Sequence, residues 1–196
     1  MKNRKHKKLV LRAFGLLIIV MGAFLIGSSI LLNVSQEKEN KVLLSDMKEK
    51  RLENARTGIE KKDKEVNIED CILRIPVIDS ENPISEGTTK EALSRSLGHE
   101  TGTALPGNEG NCVIAGHRNY TFGKYFNRLD EVKVGDMIYI DTEDDTFEYM
   151  VSEIRVVDPD DVSILEQDTD KEILTLYTCT PIYIASHRLV VIAERV

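Results

Sequence analysis

Cys179 closes a short apolar run and is followed by the connection Thr180 to His187, after which Arg188 opens the next run. In an antiparallel hairpin the end of the first strand and the start of the second share one edge of the sheet, so this thiol and this guanidinium become neighbours. A permanent cation favours the thiolate and steadies an oxyanion as it develops, which is the chemistry of an acyl-transferring nucleophile. Such chemistry also needs a proton donor for the leaving group. His117 directly follows the run Asn111 to Gly116 in a Gly-His-Arg turn, an exposed strand end suited to acid and base work. His99, His187 and His6 compete for the imidazole, and Arg118, Arg74 and Arg155 for the guanidinium. A lone cysteine in a β-rich domain is more often a packed small hydrophobe than a nucleophile. Cys71 and Cys112, inside apolar runs, are read as packed thiols, with a disulfide between them left open.

The elements that must position these residues read as strands. Cys71, Leu73 and Ile75 alternate with Ile72 and Arg74 and stop at Pro76, which suits a strand at an edge or terminus. Asn111 to Gly116 and Met137 to Asp141 are further short strands between glycine-containing turns. Phe147, Tyr149 and Val151 run out of phase with Ile154 and Val156, which predicts a bulge returning both sets to one face. Ile173 to Thr178 and Arg188 to Glu194 form a terminal pair. Thr88 and Glu91 fit a capping box and Gly98 a stop, predicting a short helix over Thr89 to Leu97. Many short strands with one or two small helices predict a mainly antiparallel β-barrel or sandwich. The sequence has no internal repeat, glycine-rich phosphate loop, zinc-type cysteine pairing or H-E-x-x-H pattern.

Charge and hydropathy divide the rest of the 196-residue chain, a length that allows one domain plus an appendage. From Ala13 to Leu32 no residue is charged, enough for one membrane-spanning helix, and Lys2, Arg4, Lys5, Lys7, Lys8 and Arg12 all precede it. The expected order is a cytoplasmic basic tail (1–12), a signal-anchor helix (13–34), an extracytoplasmic charged stalk (35–67) and a β domain (68–196). A cleaved signal peptide is the competing reading of the apolar segment, and an irregular linker that of the stalk. Residues after 35 carry 20 basic against 33 acidic side chains, so nonspecific nucleic-acid binding is not expected of the outer domain.

The string TLYTC, ending at Cys179, resembles the TLxTC signature of the sortases, membrane-anchored cysteine transpeptidases of Gram-positive bacteria. The likeness continues through CTPIYIASHRLVV, where Arg188 matches the family's arginine, and ALPGNEGNCVIAGHR, where His117 matches its histidine. The intervening FNRLDEVKVGDMIYI also looks like the family, so coverage runs from about Ile68 to Val196. The resemblance implies an eight-stranded sortase β-barrel and cleavage of an LPXTG-like sorting signal between Thr and Gly. In that scheme Cys179 forms a thioester, His117 protonates the departing amine and deprotonates the incoming one, and Arg188 holds substrate and oxyanion. The implied acceptor is an amine of a peptidoglycan precursor, or a pilin lysine. No Asp-aromatic lid motif occurs in residues 36–67 and no second apolar segment follows the barrel, which favours an anchoring enzyme of housekeeping or class D type over a pilin polymerase.

No cofactor is called for. Residues 141–172 hold 13 acidic and two basic residues, read as a solvated surface, with calcium as the alternative although no D-x-D-x-D-G loop is present. A hydrolysing cysteine protease and an anchored binding module or adhesin are the competing functions. A papain-type enzyme would carry its cysteine ahead of its histidine, the reverse of the order here, and an adhesin would end in its own sorting signal.

Overall fold

The computed structural model describes residues 14–25, 27–28, 38, 41–42, 44–50, 52–53, 66–118, 125–167 and 170–196. The chain divides into two units, Met1–Lys41 and Val42–Val196. In the first, residues 14–25 are helical and expose apolar side chains such as Leu16, Ile19 and Phe24. No helix among the described residues is long and apolar enough to cross a membrane. The predicted basic tail, with His6, and residues 13, 26 and 29–34 of the predicted span lie outside the described residues.

In the second unit, residues 44–50 of the expected stalk are helical, and Lys48 reaches Glu81 at 2.7 Å. The remainder is built from β1 (Ile72–Ile75), β2 (Ser80–Glu86), β3 (Leu97–His99), β4 (Gly110–Ala115), β5 (Met137–Asp141), β6 (Thr146–Val157), β7 (Glu172–Thr180) and β8 (His187–Arg195). These close a barrel in the order β1-β2-β3-β4-β7-β8-β6-β5. Pairing is mostly antiparallel, but β2 with β3 and β4 with β7 run parallel. The β4–β7 pair matters most, since parallel neighbours finish at the same end of the barrel.

The strand patterns follow from what covers each face. On β7, Leu174, Leu176 and Thr178 point inward and are buried, while Thr175, Tyr177 and Cys179 point outward. All six residues of β4 are buried, because its inner face meets the core and its outer face lies beneath loops, in keeping with the apolar run CVIA. The β6 register shifts between Val151 and Glu153, as the phase change predicts. Phe147, Tyr149, Val151 and Ile154 then share the core face. Val156, expected on that face, is 59% exposed instead, although its register partner Leu189 is buried.

Two elements differ from expectation. The helix α1 covers only Lys90–Leu93, and its cap is Thr89, whose hydroxyl accepts from the Ala92 amide, rather than Thr88. Gly98 lies within β3 instead of ending a helix. A Cβ there would sit 2.4 Å from the Gly87 carbonyl oxygen, so only glycine lets the backbones pass. Strand β2 is not among the expected strands, its polar residues and Pro83 showing no apolar alternation, yet Ser80, Asn82 and Ile84 are buried against the barrel.

Cys71 and Cys112 are buried free thiols of the core, as their place in apolar runs implies. Burial, with Asp70 adding to it, pushes the Cys71 thiol up to about 12. Burial pushes the Cys112 thiol up as well.

Candidate active site

Cys179 on β7 lies directly opposite Arg188 on β8, so the hairpin logic of the sequence is realised as a register pair. The connecting loop is shorter than the sequence suggests, because Thr180 and His187 are themselves paired ends of the two strands. His117 comes from the other side of β7. Strand β4 runs parallel to β7 with Ala115 beside Tyr177, and the Gly116 amide donates to the Tyr177 carbonyl, so the chain delivers His117 at the level of Cys179.

The histidine turn is fastened at several points. Thr178 donates its hydroxyl to the Gly116 carbonyl at 2.6 Å, and the Phe126 amide donates to the His117 carbonyl at 3.3 Å. A Cβ on Gly116 would stand 2.4 Å from the Phe126 ring, so the absent side chain is what admits that fully buried ring beneath the turn. Burying such a ring contributes roughly 1.5–3 kcal/mol. Arg118 donates to the Thr180 hydroxyl at 2.9 Å and pairs with Asp130 at 2.9 Å. It thereby ties the residue after His117 to the residue after Cys179.

His117, Cys179 and Arg188 line one groove of about 420 Å³. Its floor is Ala115 and Tyr177, one wall carries Thr88, Leu93 and Glu100, and the other is the β6–β7 connection from Pro159 to Leu165. Cys179 is half-buried, so the thiol is reachable from the groove. The Arg188 guanidinium donates to the His187 carbonyl at 3.1 Å and forms no ion pair with another described residue, leaving it to act on a bound group. Burial, then the Glu100 carboxylate, raise the Tyr177 hydroxyl above its ordinary range, with Arg188 opposing.

The β6–β7 wall is held by amide chemistry that sequence reasoning missed. Asn111 Nδ2 donates to the carbonyls of Ile164 and Glu166 at 3.0 and 3.1 Å. Gln167 answers by accepting from the Asn111 amide at 2.9 Å and donating to the Asn111 carbonyl at 3.1 Å. The clasp sets Ile164 and Leu165 over the groove. Its only sequence trace was a polar residue opening an apolar strand.

The competing residues go elsewhere. His99 is buried, with Nδ1 2.8 Å from Glu86 and Nε2 3.1 Å from the Ala104 carbonyl. His187 is exposed beside Ser186 and Asp158. Arg74 pairs with Asp141, and Arg155 lines a separate cavity behind the β6–β7 wall. Among the described residues no group of three or more His, Cys, Asp or Glu side chains is arranged to hold a metal ion.

Known proteins of similar sequence and shape share this barrel. Sortase D of Bacillus subtilis is 35% identical over 128 residues, covering 64% of this chain and 63% of that protein. Sortase SrtE1 of Streptomyces coelicolor is 37% identical over 136 residues, 62% of this chain but 38% of its own length. The chain thus spans less than two thirds of these relatives. The solved structure of the Clostridium perfringens Sortase D5 transpeptidase superposes with a TM-score of 0.65 at 35% identity, over 80% of this chain and 98% of that one. Sortase C1 of Streptococcus agalactiae gives a TM-score of 0.61 at 36% identity, over 64% and 66%. A family model described as the sortase domain matches residues 73–196, a span that contains all of the β-barrel but Ile72 and includes His117, Cys179 and Arg188: the chain belongs to the sortase family.

Proposed function

We propose that this protein is a membrane-anchored cysteine transpeptidase that cleaves an LPXTG-like sorting signal between Thr and Gly and transfers the acyl part to an amine of a peptidoglycan precursor. The observation that carries the reading is the register pair of Cys179 and Arg188 beside His117, at the open end of one groove.

The Cys179 thiolate attacks the threonine carbonyl carbon, forming a C–S bond while Arg188 faces the oxyanion. The C–N bond then breaks as His117 gives its proton to the departing amine. In the second half His117 takes a proton from the incoming amine, the new C–N bond forms, and the thiolate leaves. Substituting water for the amine turns the same intermediate to hydrolysis.

Anchoring is supported by the uncharged segment Ala13 to Leu32 behind six basic residues; on this reading the amino terminus lies in the cytoplasm and the barrel outside. A tether at the membrane face raises the local concentration of substrates arriving there. A second reading, polymerisation through a pilin lysine, is favoured by the polymerase-like stretch CTPIYIASHR.

The test is incubation of the full chain with a labelled LPXTG peptide and candidate amines, read by mass spectrometry. An adduct on Cys179 that is lost in Cys179→Ala, and amine found in the product, is the expected result. Hydrolysis unaffected by amine would make the protein a protease, and an unlabelled, inert Cys179 would leave only a binding domain.

A further inference from the structure

We propose that Glu100 makes the groove select acyl donors bearing a basic side chain in the stretch before the scissile bond, an inference that rests on the peptide-transfer reading above. The direction of the donor follows from the groove. Cys179, His117 and Arg188 line it together with Tyr177 and Glu100. A peptide acylating Cys179 therefore lies with its preceding residues over Tyr177, which shares the outward face of β7 and sits two residues back, about 6.8 Å along the strand.

Glu100 stands beside that segment. Its Oε2 accepts the Tyr177 hydroxyl at 2.9 Å and the Thr88 hydroxyl at 3.1 Å, so the carboxylate is fixed from both the floor and the neighbouring wall. Among the described residues Oε1 accepts no hydrogen bond and no Lys or Arg pairs with Glu100. The groove's own cation, Arg188, is paired in register with Cys179. The opposite wall offers Val162, Ile164 and Leu165, with Asp161 as its charged residue. Beside Tyr177, then, a half-exposed carboxylate is preorganised by two hydroxyls and has no ion-pair partner among the described residues, and a donor ammonium or guanidinium supplies one.

The experiment uses the full chain, one fixed acceptor amine, and donor peptides in which each position before the scissile threonine is replaced in turn by Lys, Gln or Glu. At one position Lys is expected to exceed Gln in kcat/KM by about fivefold at low salt, with Glu below both, and the ratio is expected to shrink at high salt. In Glu100→Gln the Lys to Gln ratio falls to about one, and in Glu100→Lys the Glu donor becomes the preferred one. Because each ratio is taken within one variant, a general loss of activity cancels. Turnover without a Lys preference, a preference that survives Glu100→Gln, or one that follows the charge of the acceptor instead overturns the inference alone. Failure of every peptide to acylate Cys179 overturns the peptide-transfer reading, and the inference with it.

Discussion

Thr178, the residue before Cys179, donates its hydroxyl to the carbonyl of Gly116, the residue before His117, at 2.6 Å and out of contact with solvent. The side chain is buried, so it acts on the spacing of the two strand ends. Thr178→Val keeps the shape but leaves the Gly116 carbonyl unpaired, at a cost of about 1–3 kcal/mol in stability. The urea midpoint and kcat should both fall, and Thr178→Ser should recover most of each. A Val variant with unchanged kcat would show that the bond does not position His117.

The Asn111–Gln167 clasp makes a different prediction. Gln167→Ala removes two of the bonds that hold the β6–β7 wall to β4, yet touches neither the thiol nor the imidazole. KM for the donor peptide should rise about threefold to tenfold with kcat nearly unchanged, as expected when a binding wall loosens. Amide exchange over residues 158–167 should quicken in the same variant, and the rest of the barrel should keep its protection.

Arg188 makes no ion pair with a described residue, so its loss should register in catalysis and little in stability. Arg188→Lys keeps the charge but loses the planar fork, and kcat/KM should drop about 100-fold. Single-turnover acylation of Cys179 should slow in parallel, while the thermal midpoint moves little.

Alkaline stability tests the buried thiol. Burial lifts Cys71 from its ordinary 9.0 to about 12. Below pH 9 the thiol is protonated in both states and its contribution is intact. Between pH 9 and 12 the unfolded chain releases the proton while the folded chain keeps it, so stability falls as pH rises, by about 1.4 kcal/mol per pH unit for this group. Cys71→Ala should flatten the decline in the urea midpoint between pH 9 and 11. The slope will not vanish, because Cys112 and Tyr149 are also raised by burial.

The strands that alternate or run apolar were legible in the sequence, since a residue facing a core must be apolar whatever lies across from it. Strand β1, the β6 bulge and the β7–β8 pair fall in this class. Strand β2 was not, because Ser80 and Asn82 are buried beside each other and joined by a hydrogen bond. Thr88 misled for a related reason: its hydroxyl suits a helix cap, but the cap is Thr89 and Thr88 serves Glu100.

The sequence by itself determined that Cys179 and Arg188 meet, because a hairpin joins residues near in the chain and its register follows from strand length. It also determined that His117 stands at a strand end. Only the tertiary structure decided that this strand lies parallel to β7 and on the side away from Arg188, since pairing between segments 62 residues apart depends on how the whole barrel closes. Glu100, Tyr177 and the Asn111–Gln167 clasp belong to the same class. Their chemistry is ordinary in the sequence and acquires meaning from the neighbours that folding gives them.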